Sequence, residues 1–260
     1  MKHLVKKYVH YVKFEENLSA AITEIPVDEK EIARIRDEKM EGQYGMIITD
    51  SNELIQAFKY ETDGKIYMLP EPDPVVIYFD TAAFNYRRLR EQRIEIFKDA
   101  ALFGKHLLAT TGNFYSYFAN ASSFAIYLFG ALEAFVNKEI PKDFEYRRNF
   151  QDKRTELFDK GQLQRNIEFL EKIKDVMPQV KGKNFVQEFA HKYDQIKKLK
   201  YFRDEVVHTK SFEADQEPNF YQQLFVLSLD FDFEKTINFV RDYINYYQPG
   251  LIEECNCGKE

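Results

Sequence analysis

The sequence has no tryptophan and only two cysteines, and among its 260 residues there are 10 glycines and 8 prolines. So few helix-breaking residues argue against a loop-rich β protein and favour long helices. The two cysteines, Cys255 and Cys257, lie near the C-terminal end, which argues against a disulfide framework and predicts a reducing compartment. The N-terminal residues lack the apolar core of a signal peptide, so we expect a cytoplasmic protein.

Several motifs of enzymes and metal proteins are also absent. The sequence contains no Gly-rich phosphate loop, nucleophile elbow or dinucleotide fingerprint. A structural zinc site needs four ligands, and Cys255 and Cys257 have no further cysteine to join them. Outside the motif described below, the histidines have no ligand-like spacing: His3, His10, His106 and His191. We therefore predict no metal and no cofactor.

The charge and the apolar content limit the partners. A net charge of −6 argues against bulk coating of nucleic acid, because such binding releases counterions from a basic surface. A local basic groove is still compatible with it. The longest apolar run, residues 118–136, is about long enough to cross a bilayer but contains Asn120 and Glu133. It predicts a buried central helix and no membrane partner.

Residues 1–80 have mixed signals and predict a small α+β segment. The run at residues 29–40 has helical spacing, and the run at 44–49 is typical of a strand. Residues 55–60 and 65–69 flank Thr62-Asp63-Gly64, which predicts a hairpin. Residues 75–79 are β-branched and aromatic and predict a last strand.

From Thr81 to residue 248 the periodicity is helical, with Thr81 as the expected N-cap. We predict a mainly α domain over residues 81–248, with any sheet before residue 81. We expect a first helix, an interruption at Gly112 and a second helix at 114–139. A loop or polar helix at 142–160 should follow. Three further helices are expected: one at 162–176, one that starts after Asn184, and one at 218–247 with a break near Asp230. Residues 249–260 are predicted to be a polar tail.

One motif carries chemistry. Residues 199–208 end an amphipathic helix and contain Arg203, Asp204 and His208. Arginine presents a planar, permanently charged fork that matches a phosphate, and histidine titrates near neutrality. In RNA the 2′-hydroxyl next to each phosphate supplies the nucleophile, so a site with an arginine and a histidine can work without a metal.

Spacing refines this prediction. At 100° per residue, Arg203 and His208 diverge by roughly 140° on an ideal helix. They converge if the helix loosens at its end or if a second subunit completes the site. Asp204 and His208 lie on one face, so we expect the Asp204 carboxylate to orient the imidazole.

These residues resemble the HEPN family, whose members carry an Arg, then a polar residue, and then a His a few positions on. Arg203-Asp204-x-x-x-His208 matches that pattern, and residues 130–137 are similar to the Glu-bearing second helix of the family. The resemblance covers about residues 81–248. The Tyr that some toxin members carry two residues after the His is replaced by Lys210.

The resemblance implies a HEPN-like helical bundle, often a two-fold dimer with its Arg and His residues lining a cleft. It implies a metal-independent endoribonuclease of the toxin–antitoxin or phage-defence type, in which 2′-hydroxyl attack leaves a 2′,3′-cyclic phosphate and a cognate antitoxin or regulatory protein is a partner. Arg203, Asp204 and His208 are then catalytic. The candidate phosphate-binding residues are Lys197, Lys200 and Lys210, and the supporting residues are Glu133 and Asn137.

Other interpretations stay open. A noncatalytic HEPN module would bind a nucleotide or a partner protein, and an interaction protein would use residues 1–80 for recognition. Without the resemblance, Arg203 and His208 are interpreted as side chains of a solvated helix end, where the histidine lies near the negative end of the helix dipole. Glu133, in an apolar run, is expected to pair with a Lys or Arg of the motif helix.

Overall fold

The computed structural model describes residues 3–6, 11–13, 44–48, 53–100, 107–149, 154–208 and 221–256. The chain divides into two compact units. The smaller unit is Lys6–Asp73, and the larger one combines Met1–Val5 with Pro74–Glu260. The predicted helix at residues 29–40 lies outside the described residues.

The smaller unit contains an antiparallel sheet built around one long strand. Strand β3, Glu53–Thr62, pairs with three others: β1 (Tyr11–Lys13), β2 (Tyr44–Ile48) and β4 (Lys65–Pro70). Thr62 pairs with Lys65 across a two-residue turn in which Asp63 and Gly64 have φ angles of 51° and 68°. Positive φ at both positions suits the twist of the strands, and the predicted hairpin is confirmed.

From Pro74 onward the larger unit is mainly helical, as predicted. Its helices are α1 (Pro74–Ala100), α2 (Leu107–Glu139), α3 (Lys160–Asn166), α4 (Phe169–Glu171), a π-helical turn (Lys172–Val176), α5 (Met177–Lys181), α6 (Phe185–Glu188), α7 (Ala190–Val207), α8 (Gln222–Asp230) and α9 (Phe233–Tyr247). The break near Asp230 is confirmed. Helix α2 runs through Gly112, so the predicted interruption there is wrong.

The predicted strand at residues 75–79 and the boundary at residue 80 are also wrong. Both fall inside α1, which starts at Pro74, where the missing N–H of proline costs no helical bond. Val76 and Phe79 are buried in the core, so helical packing overrides their β propensity. Thr81 is an interior residue whose hydroxyl donates to the Ile77 carbonyl at 2.9 Å.

Helix α2 is the centre of the larger unit. It packs against α1, α7, α8 and α9, and Phe124, Leu128 and Phe135 are fully buried. The stretch Thr111–Glu139 is long and apolar enough to cross a membrane, with a mean hydropathy of 1.3, but half of its most apolar window is buried inside the protein. The apolar run is therefore used as a core helix, as predicted.

A hairpin between α2 and α3 contradicts the expectation that residues 142–160 form a loop or polar helix and that no sheet follows residue 81. Strands β5 (Tyr146–Asn149) and β6 (Thr155–Phe158) pair antiparallel. Contacts outside the hairpin stabilise it, because Tyr146 and Arg148 both bind the Glu171 carboxylate. Such long-range partners leave no local sequence signal.

The region predicted as one helix at 162–176 is broken into shorter pieces. Asp159 caps α3 through a reciprocal pair of hydrogen bonds with Gln162, and Ile167 is extended and ends it. Asn184 is a helix cap, as predicted, but it caps the short α6. Helix α7 starts after Phe189 and carries the motif.

The predicted polar tail is packed where it is described. Leu251 and Ile252 are buried. Backbone hydrogen bonds of 2.9 Å join Val5 N–H to the Glu253 carbonyl and Cys255 N–H to the His3 carbonyl. The two apolar side chains explain why this segment returns to the core.

Candidate functional site

Arg203 lies in the last turns of α7, on the side that faces α2. The buried residues Ile196, Leu199 and Phe202 define the packed face of α7, and they turn Arg203 towards the core. Its guanidinium carbon is 4.0 Å from the centroid of the Phe129 ring on α2. The side chain is 21% exposed, so the cation is held in place and still reaches solvent.

Two carboxylates flank the guanidinium. One nitrogen of Arg203 lies 2.8 Å from Asp204 Oδ1, and another lies 4.0 Å from Glu133 Oε1. The first is a close ion pair, and the second is at the outer limit of one. The expected pairing of Glu133 with a basic residue of the motif helix is therefore present.

One lysine pairs with Asp204, and another is buried in the neighbouring π-helical turn. Lys200 Nζ is 2.7 Å from Asp204 Oδ2, one turn earlier on α7. Lys172, the first residue of the π-helical turn, is 6% exposed and donates to the Gln164 carbonyl at 3.1 Å. Burial lowers the pKa of Lys172, and the negative charge of Glu133 opposes that shift.

Phe129 also packs against a second aromatic ring. The Phe169 ring meets it edge-on, with centroids 4.6 Å apart. Phe169 is the first residue of α4, so this short helix contributes a ring to the packing behind the site. Sequence reasoning missed Phe129 and Phe169, because aromatic residues at these positions have no distinctive local pattern.

His208 lies at the C-terminal end of α7 and is exposed. Its backbone N–H donates to the Asp204 carbonyl at 2.8 Å, and this is its only hydrogen bond within the described part of the chain. The expected hydrogen bond from the imidazole to the Asp204 carboxylate is not formed. That carboxylate instead pairs with Arg203 and Lys200.

The other predicted residues are less closely grouped. Lys197 pairs with Asp194 at 2.6 Å on an exposed face of α7. Asn137 follows Glu133 by one turn of α2, and its buried Oδ1 has no hydrogen-bond partner among the described residues. Lys210 lies outside the described residues.

The structure thus brings Arg203, Asp204, Lys200 and Glu133 together and leaves His208 apart. This arrangement offers an oriented cation to a phosphate and a solvent-accessible imidazole five residues later. Over the residues that the structure describes, no group of three or more His, Cys, Asp or Glu side chains is placed to hold a metal ion.

Comparisons with known proteins return no match of any kind: no family model, no curated protein and no solved structure matches this chain.

Proposed function

We propose that this chain is a metal-independent endoribonuclease of the HEPN type. The observation that supports the proposal is the placement of Arg203, stacked on Phe129 and paired with Asp204, on the same helix as an exposed histidine five residues later. A guanidinium with a fixed plane is suited to a phosphate, since its donors match two phosphate oxygens.

In the proposed reaction, the RNA 2′-oxygen attacks the adjacent phosphorus and the 5′-oxygen leaves. A base removes the 2′-hydroxyl proton, and an acid gives a proton to the 5′-oxygen. His208 performs one of these steps. Arg203 stabilises the charge that grows on the phosphorane oxygens. The products are a 2′,3′-cyclic phosphate and a 5′-hydroxyl.

We further propose that the site is completed in a homodimer. Arg203 faces α2 while His208 is exposed at the helix end, so one chain does not direct both groups at one phosphate. A two-fold axis near the end of α7 would bring two histidines and two arginines to one cleft. Light scattering at tens of micromolar, an order-of-magnitude range for weak dimers, is expected to give a dimer, and a monomer would contradict this part of the proposal.

The second candidate is a noncatalytic module that binds a nucleotide or a partner protein. One observation favours it: Asp204 and Glu133 already balance the charge of Arg203. This arrangement is also what a purely structural arginine needs.

The experiment that separates the two candidates is RNA cleavage in excess chelator. Purified protein is incubated with mixed RNA, and the 3′ ends are analysed for cyclic phosphate. We expect cleavage by the wild type and loss of cleavage with His208→Ala and with Arg203→Ala. The matched control is His191→Ala, an exposed histidine in the first turn of the same helix, which should leave cleavage unchanged.

Three outcomes would contradict the ribonuclease. Activity that survives His208→Ala places the reaction elsewhere, and activity that chelator abolishes indicates a metal-dependent nuclease. Nucleotide binding without cleavage supports the noncatalytic module.

A further inference from the structure

A cleft of about 600 Å³ lies between α7 and α8, and the proposed reaction does not use it. Sites that bind small molecules have volumes of roughly 300–1,000 Å³. The polar residues that line the cleft are Tyr201 and Glu205 of α7 and Gln222, Gln223 and Asp230 of α8, and leucine and valine side chains of α8 complete its wall. Apolar contact area is thus combined with a few hydrogen-bonding groups, as in small-molecule sites.

The cleft lies on the face of α7 that ends at His208. Tyr201, Glu205 and His208 follow one another at spacings of four and three residues, which places them on one side of a helix. The His208 N–H donates to the Asp204 carbonyl at 2.8 Å, so the helical path continues to this residue. Arg203 faces α2 instead. A molecule in the cleft would therefore lie on the histidine side of the motif.

The charge of the lining determines which part of a nucleotide fits. Among the described residues no lysine or arginine lines the cleft, whereas Glu205 and Asp230 contribute two carboxylates. A phosphate would be repelled here, but a planar base has faces that stack and an edge that forms hydrogen bonds. Tyr201 is 58% exposed, so its ring is accessible to a base. The lining therefore suits a base and leaves the phosphate outside.

Hydrogen-bonding chemistry selects one base. A carboxylate only accepts hydrogen bonds, and its two oxygens match two adjacent donors. Guanine is the only one of the four RNA bases whose Watson–Crick edge has two adjacent donors, the N1–H and the 2-amino group. In adenine, cytosine and uracil an acceptor lies beside the donor, and a carboxylate repels it. The amide of Gln222 or Gln223 can donate to the guanine O6.

We propose that this cleft binds a guanine base of the RNA substrate, with the base stacked on Tyr201 and its Watson–Crick edge bound by Glu205. The adjoining ribose and phosphate then lie on the His208 side, and cleavage occurs preferentially next to guanine. The RNA as the source of the base rests on the proposed function, whereas recognition of guanine by the cleft does not.

The binding test uses the 5′-monophosphates of guanosine, inosine, adenosine and cytidine, which carry the same phosphate and differ only in the base. Isothermal titration calorimetry gives Kd for each. We expect guanosine monophosphate to bind about tenfold more tightly than the other three, the discrimination that one bidentate contact provides. Inosine is the sharpest comparison, because it lacks only the 2-amino group. Equal binding of guanosine and inosine monophosphates would overturn the inference.

Variants locate the site. Glu205→Gln should remove the preference for guanosine monophosphate, because an amide presents one donor and one acceptor to the base. Tyr201→Leu should weaken all four monophosphates about tenfold without changing their order, since stacking tolerates any base. The matched control is Asp194→Asn, which removes an exposed carboxylate about three turns earlier on α7 and should change nothing.

Thermal unfolding checks that the variants fold, and the exposed Tyr201 can be replaced without disturbing the core. A preference for guanine that survives in folded Glu205→Gln, or binding that Tyr201→Leu leaves unchanged, places the base elsewhere and overturns the inference.

Sequencing of the cleavage products separates this inference from the proposed function. We expect guanine to be enriched next to the cuts made by the wild type and not next to those made by Glu205→Gln. Binding that prefers guanine without cleavage of any RNA overturns the ribonuclease and leaves the cleft as a guanine site. Cleavage without enrichment of guanine overturns the inference and leaves the ribonuclease.

Discussion

Arg203 and His208 belong to one motif, but their surroundings differ in almost every respect. Arg203 is stacked on a buried ring, paired with one carboxylate and close to a second. His208 is exposed at a helix end and is held only through its backbone among the described residues. The packing of a single chain therefore fixes the cation in advance and leaves the imidazole to be oriented by substrate or by a second subunit. Their substitutions should separate activity from stability.

The largest effect is expected at the exposed end. His208→Ala should lower the cleavage rate by about 10²–10⁴-fold, the usual contribution of a general acid or base. The free energy of unfolding should change by less than about 0.5 kcal/mol, because the side chain packs against nothing that the structure describes. Chemical denaturation and a chelator-treated cleavage assay measure the two quantities on the same preparation. If His208→Ala greatly lowered the free energy of unfolding, His208 would be held by the fold as firmly as Arg203, which contradicts the comparison.

The next largest effect is expected at Phe129, whose ring packs against the Arg203 guanidinium. Phe129 is 1% exposed, so Phe129→Ala should lower the free energy of unfolding by about 3–5 kcal/mol. Phe129→Leu keeps most of the volume and removes the aromatic face. It should therefore cost less in stability and still weaken the hold on Arg203. Urea denaturation compares the two variants, and a Phe129→Leu protein as stable as the wild type would mean that Arg203 does not depend on the ring.

Arg203→Met is expected to have a smaller effect on stability. It removes the contact with Phe129 and the pair with Asp204, while Asp204 keeps its pair with Lys200. We expect the free energy of unfolding to fall by about 1–2 kcal/mol. Under the same denaturation conditions, a loss no larger than that of His208→Ala would show that the two residues are held equally loosely.

The smallest effect on stability is expected at Tyr146, a buried residue of the β5–β6 hairpin. Burial, and secondarily the hydrogen bond to Glu171, raises the pKa of Tyr146 to about 12 from its ordinary value of 10.0. The folded protein binds this proton more tightly than the unfolded chain, so the associated stability is complete below pH 10 and is lost as the pH rises through about 12. Tyr146→Phe should cost about 1 kcal/mol at neutral pH and reduce the loss of stability at alkaline pH. A pH series of unfolding curves measures both, and an unchanged alkaline slope would contradict the prediction.

The two hairpins explain why part of the fold was predictable. The β3–β4 hairpin follows from Asp63-Gly64, because few other residue pairs adopt positive φ at both turn positions. The β5–β6 hairpin was missed because its strands are rich in charge and depend on Glu171, a residue of a later helix. A turn made by its own residues is readable from sequence, and a strand stabilised from outside is not.

The candidate site divides in a similar way. Arg203, Asp204 and His208 were found because three chemically suitable residues occur within six positions, and Glu133 because a carboxylate in an apolar helix needs a partner. Phe129 was not found, since its role arises only when α2 packs against α7. The predicted orientation of the imidazole by Asp204 was wrong because helical spacing does not reveal that Lys200 competes for the same carboxylate.

The pairing of residues 3–5 with residues 253–255 has a consequence for the order of events during synthesis. Leu4 is fully buried in the larger unit, yet the segment that covers it lies some 250 positions later in the chain. At about 5–20 residues per second, the ribosome needs on the order of ten to fifty seconds to make the intervening length. Until then Leu4 lacks its bridge partner Glu254, although the helices that it will join have already been made. The contact between these two distant segments of the larger unit therefore forms only after its helices have been synthesised.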